Sequence, residues 1–214
     1  MSKTEITTLF RPIGLFEMGL IFDSGMKAFP PRLPEQPIFY PVLNEDYARQ
    51  IARDWNAPSA ESGFAGFVTS FDMRIDYLKR FPVKTVGSSV HQELWVPAEE
   101  LEDFNNHILG HIRAVGVYYG AGFTGFVPDK FGLARKNAIK QLECLALTID
   151  YSGMDFICEM SANAKAVYVN FPFWAGNDFT ASGIVEEKRQ KVLRSIRKIW
   201  DEKVPAAPLC NKFS

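Results

Sequence analysis

Glu93 stands in the middle of His91-Gln92-Glu93-Leu94-Trp95-Val96-Pro97, where polar and apolar residues alternate up to a proline. Alternation of that kind predicts a strand. A carboxylate fixed in mid-strand can stabilise a developing positive charge or accept a hydrogen bond from a substrate hydroxyl. The same pattern also fits an edge strand with one solvated face, on which Glu93 simply meets water. Residues 98–108 start a helix directly after Pro97. Glu99, Glu100, Glu102 and Asp103 sit near its positive end and read as dipole and solubility charges. Other site chemistries are poorly supplied. His91, His107 and His111 form no zinc spacing, because Gly110 is expected to lie beyond the helix end. Cys144, Cys158 and Cys210 are far apart and odd in number, so neither a metal site nor a disulfide framework is expected.

The 214 residues allow one large domain or two small ones, and 47% hydrophobic content is enough for a sizeable core. The net charge of −1 argues against a general nucleic-acid binder. Aromatic residues reach 14%, with 18 Phe, enough both for a core and for the walls of a pocket. No basic start followed by an apolar stretch marks a signal peptide, and no apolar run is long enough to span a membrane. With its unpaired cysteines, the chain is expected in a reducing cytoplasm.

The elements that must position Glu93 are read from spacing. Residues 7–12 form a first strand, carrying Arg11 and closed by Pro12. Residues 14–24 form a helix with Leu15, Met18, Ile21 and Phe22 at helical spacing, stopped by Gly25. Residues 29–37 are rich in proline and predict a stiff loop that crosses the surface or rims a cleft. Residues 38–43 form a second strand with Pro41 marking an edge or bulge. Asn44 caps a helix over 45–55, with Tyr47, Ala48, Ile51 and Trp55 inward. Strands follow at 67–73, 84–86 and 91–97, a helical turn at 76–81, and a last strand at 112–119. Gly120 to Pro128 marks a candidate boundary, dividing the chain into residues 1–122 and 123–214. Beyond it, a helix is expected over 133–147, and residues 154–159 and 165–171 are expected to pair as strands. A final helix over 185–200 has Val185, Val192, Ile196 and Ile199 or Trp200 inward. Its basic residues Lys188, Arg189, Lys191, Arg194, Arg197 and Lys198 read as a solvated face, with an anionic partner as the alternative. Tyr168, Phe171, Phe173 and Trp174 read as core around Pro172, with a recognition surface as the alternative.

The order of the first part, with Phe39-Tyr40-Pro41-Val42-Leu43-Asn44-Glu45-Asp46-Tyr47-Ala48 and Val90-His91-Gln92-Glu93-Leu94-Trp95, resembles the ADP-ribosyltransferases of the paired-tyrosine type. Residues 28–34 and 93–101 also resemble small bacterial proteins labelled "ADP-ribosylation/crystallin J1". The resemblance covers roughly residues 6–120. It implies an α+β fold with a split antiparallel sheet and flanking helices, to which the remaining residues add a small α/β C-terminal extension. It also implies NAD as substrate, with no metal. Glu93 is then the catalytic carboxylate, Tyr40 and Tyr47 hold the nicotinamide by stacking, and Arg11 holds the diphosphate or ribose. His91 and Gln92 are candidates to orient an acceptor. This sequence departs from the family pattern in carrying Arg11 where the tyrosine type has His.

Each residue keeps an ordinary reading: Tyr40 and Tyr47 as core, Arg11 as the partner of a surface ion pair, His91 as a plain strand residue. Two functions follow. One is NAD-dependent ADP-ribosyl transfer or NAD hydrolysis, with an unknown acceptor for which a protein is one candidate. The other is a non-catalytic binding, immunity or regulatory protein on the same fold. A third reading, an anionic-ligand or nucleic-acid module, rests on the basic last helix. The enzyme reading requires Arg11, Tyr40, Tyr47 and Glu93 to converge on one cleft.

Overall fold

The computed structural model describes residues 5–88 and 90–212. Its centre is an antiparallel sheet in which β1 (Ile6–Ile13), β3 (Ala65–Arg74) and β7 (Leu109–Tyr119) lie side by side in that order. The outer edge of β1 is extended by a single residue of another segment. Val42 bridges Phe10 on one side and Glu93 on the other. Phe10 and Val42 exchange both backbone hydrogen bonds, at 2.9 and 2.7 Å. Beyond Val42 come β5 (Gln92–Leu94) and then β4 (Val83–Thr85), paired with Lys84 opposite Glu93. A separate two-residue ladder joins β2 (Ile38–Phe39) to β6 (Val96–Pro97). Pro41 cannot donate to a ladder, so the expected strand over 38–43 is reduced to β2 and the bridge at Val42. The carbonyl of Pro41 is still used, accepting from the Leu94 amide at 2.8 Å.

Helix α1 (Leu15–Asp23) buries Leu15, Met18 and Ile21. It ends at Gly25, whose φ of +71° suits a residue without Cβ. The Gly25 amide donates to Phe22 and the Met26 amide to Ile21, closing the last carbonyls. Helix α2 (Glu45–Ile51) starts at Asn44, whose side chain accepts from the amides of Asp46 and Tyr47. It then widens into a π turn over Ala52–Asn56. The wider turn swings Trp55 outward, to 63% exposure, against its expected inward position. Gly66 on β3 lets this turn lie on the sheet, since a Cβ there would meet the Ala52 carbonyl oxygen at 1.9 Å. A short helix α3 (Ile75–Leu78) follows β3, and α4 (Leu101–Asn106) follows β6 through a 3-10 turn.

From residue 121 on, the described chain contains helices and no strands. The expected strands over 154–159 and 165–171 are helices α6 (Gly153–Ala162) and α7 (Ala164–Gly176), after α5 (Ala138–Tyr151). For 165–171 the reason is burial. Residues 166 to 172 are buried without interruption, so α7 has no polar stripe to reveal the helical period, and its Val and Tyr content imitates a buried strand. The C-terminal part is therefore helical and not α/β. The last helix, α8 (Glu186–Lys203), buries Val192, Ile196 and Trp200 as expected, but Val185 precedes it and is exposed. Arg189, expected on the wet face, is buried. Its guanidinium donates to Glu186 and to the carbonyls of Trp174 and Ala175. Lys188 and Lys191 both pair with Asp150.

One apolar cluster runs from Leu9 on β1 to Leu209 near the chain end, taking in both the sheet and the helices. The expected boundary near residue 126 is tied down: Phe126 exchanges hydrogen bonds with the Asn170 side chain, and its carbonyl also accepts from Gln141. A second, smaller cluster lies on the opposite face of the sheet, where Val42, Tyr47, Ala48, Ala52 and Val68 pack with Phe10.

Candidate functional site

Strand alternation sorts the candidate residues by face. Along β1, Leu9 and Ile13 enter the main core while Phe10 enters the small cluster. Along 91–96, Leu94 and Val96 enter the main core, so His91, Glu93 and Trp95 share the other face. That face carries the site. Asn44 fixes the start of α2, which aims Tyr47 across Val42 at Glu93. The Tyr47 hydroxyl donates to Glu93 Oε1 at 3.0 Å, and the Trp95 indole Nε1 donates to Oε2 at 3.2 Å. The carboxylate is half-buried and held on both oxygens by neutral donors.

Aromatic rings flank it. His91 stacks on Tyr47 with centroids 4.2 Å apart and planes 18° apart, and its Nε2 lies 3.2 Å from Gln50 Oε1. On the other side Tyr40 meets Trp95 edge-on at 5.3 Å. Lys84, opposite Glu93 in the ladder, lays its ammonium 4.0 Å over the Trp95 ring. Burial, followed by the hydrogen bond to Glu93, pushes the Tyr47 hydroxyl up to about 12, so it remains a donor at neutral pH.

The structure brings Tyr40, Tyr47, His91 and Glu93 together. It sets Arg11 apart. Arg11 shares the face of Leu9 and Ile13, is buried, and lays its guanidinium 4.4 Å over the Phe39 ring. Its hydrogen bonds go to Glu17 Oε1 at 3.1 Å and to the backbone carbonyl of Tyr40 at 3.2 Å. The sheet therefore separates Arg11 from the Glu93 carboxylate, and the single cleft is not formed. The ordinary reading of Arg11 as half of an ion pair holds, but the pair is buried and not on the surface. Gln92 shares the Leu94 face by the same alternation, and its backbone carbonyl accepts from the Leu43 amide.

Three contributors went unread in the sequence. Trp95 had a usable signal, because His91, Glu93 and Trp95 lie two apart and a strand must show them on one face. Lys84 and Gln50 had none, since only the β4–β5 register and the path of α2 bring them near. Among the described residues, no group of three or more His, Cys, Asp or Glu side chains could hold a metal ion. No helix among them is long and apolar enough to cross a membrane. No protein-family model, curated protein or solved structure matches this chain.

Proposed function

We propose that the Glu93 face cleaves the bond between nicotinamide and ribose in NAD and passes the ADP-ribosyl group to an acceptor or to water. The observation that supports this is a mid-strand carboxylate fixed between two aromatic pairs, Tyr47 with His91 and Tyr40 with Trp95. As the C1′–N bond breaks, its electron pair leaves with the nicotinamide, which carried a positive ring nitrogen and departs neutral. Positive charge builds on the ribose, as in glycoside cleavage, and a fixed carboxylate stabilises it. The acceptor's nucleophilic oxygen or nitrogen then bonds to C1′ and gives up its proton. His91 covers one face of Tyr47, so a nicotinamide ring reaches that face only when His91 moves away. The ring face of Tyr40 is not stacked in this way, its contact with Trp95 being edge-on.

The test is nicotinamide release from NAD by the purified protein beside Glu93→Gln, which keeps shape and removes charge. A loss on the order of a hundredfold or more supports catalysis. A second reading, a non-catalytic binding protein, draws on one specific observation: both Glu93 oxygens already accept hydrogen bonds from the protein. Equal background release from both proteins, together with no NAD binding, would select it.

A further inference from the structure

A cavity of about 700 Å³ opens on the Arg11 face of the sheet, between the start of α1 and the proline-rich loop. That size lies within the range of small-molecule sites. Its lining includes Phe16, Glu17, Arg32, Glu35, Gln36 and Glu61. The charges are layered. Arg11 is buried just behind the wall, bonded to Glu17, whose side chain is only 22% exposed. Arg32 is half-buried beside them, while Glu35 and Glu61 are exposed at the mouth. At the inner end, two guanidiniums share one close carboxylate, leaving an excess of one positive charge. Arg32 is poorly satisfied there. Its Nε is sealed from solvent without an acceptor among the described residues, and its side-chain partner is the amide oxygen of Gln36. Burial, followed by the adjacent Arg11, pushes its guanidinium down from the usual range, against the opposing pull of Glu17 and Tyr40. An incoming anion at the accessible end of the guanidinium would offset its charge.

We propose that this cavity binds a phosphorylated sugar, its phosphate at the Arg32 end and its hydroxyls toward Glu61 and Glu35. Arginine forks suit phosphate oxygens, and carboxylates accept from vicinal hydroxyls. Screening by water keeps the two exposed carboxylates from repelling the phosphate strongly. Phe16 and Leu33, 59% and 56% exposed at the rim, offer apolar surface to the sugar ring or to an attached base. The chemistry is shared by free sugar phosphates and by nucleotides. It does not depend on the reading of Glu93 as catalytic, although Tyr40 lies close enough to Arg32 to act on its charge.

The experiment is titration calorimetry of the full chain with ribose 5-phosphate, AMP, ribose and inorganic phosphate, repeated with Arg32→Ala and Arg32→Gln. Ribose 5-phosphate should bind the natural protein, ribose should not, and both variants should weaken binding by about tenfold or more, as expected when a charged hydrogen-bond donor is lost. Tighter binding of AMP than of ribose 5-phosphate assigns the site to nucleotides, and equal binding to sugar phosphates. Absence of phosphate-dependent binding, or binding unchanged in folded Arg32→Ala, overturns the proposal. So does binding lost in Glu93→Gln but kept in the Arg32 variants. Nicotinamide release reads only the other face, so the two proposals fail separately.

Discussion

Glu159 in the helical region and Glu93 in the sheet region are both carboxylates with both oxygens engaged, and they are engaged differently. Glu159 takes the backbone amides of Gly132 and Leu133 and the Asn163 side chain. It ties a loop to α6. Glu93 takes two side-chain donors that could turn to other partners, and it lies half-exposed among aromatic rings. The arginines divide in the same way. Arg189 sends its nitrogens to both Glu186 oxygens and to two carbonyls at the end of α7, where it acts as a helix cap supplied by α8. Arg32 has one nitrogen sealed without an acceptor among the described residues. Glu159 and Arg189 use their bonds to hold local structure. Glu93 and Arg32 keep exchangeable or unspent bonding capacity, which is what a ligand requires.

The comparison is broken most forcefully in the helices. Trp174 is fully buried, with its Nε1 bonded to the Ala138 carbonyl. Trp174→Ala should cost about 3–5 kcal/mol in urea unfolding. A loss below about 1 kcal/mol would mean that α7 is not the core helix it resembles. Arg189→Ala should cost about 2–3 kcal/mol by leaving the Trp174 and Ala175 carbonyls unpaired. Arg189→Met, which keeps the bulk, should lose a similar amount if the hydrogen bonds matter more than the packing. On the sheet side, Glu93→Gln should leave stability within about 1 kcal/mol, because a half-exposed group with neutral partners can be replaced by its amide.

The last effect is silent at neutral pH and the sharpest in pH. The Tyr47 hydroxyl stands near 12 against an ordinary value near 10. A raised value means that the fold favours the protonated form. The contribution is therefore complete below pH 10 and disappears as the pH rises through 12. Tyr47→Phe should remove that alkaline loss. The difference between the tyrosinate titrations of the two proteins should show one transition near pH 12. A transition near the ordinary value would mean that Tyr47 does not donate to Glu93.

The first half of the chain was legible because its local signals agree. The Asn44 cap, the Gly25 stop and the alternation in β1 each act within a few residues, and the structure has each of them. The run 166–172 imitates a strand because periodicity vanishes when every side is buried, whereas residues 154–159 are mostly exposed or half-buried and form a helix started by the Ser152 cap. Trp55 was misread because a π turn shifts the phase of all that follows it.

The sequence by itself determined the α+β character, the mid-strand place of Glu93 and the helix that carries Tyr47, since these depend on spacing and caps. Only the tertiary structure decided which residues meet. Val42 bridges β1 and β5, the β4–β5 register sets Lys84 opposite Glu93, and strand alternation turns Arg11 to the other face toward Arg32. Register is fixed by pairings across tens of residues, and a one-residue shift would invert which side chains meet, so no local pattern could have assigned it.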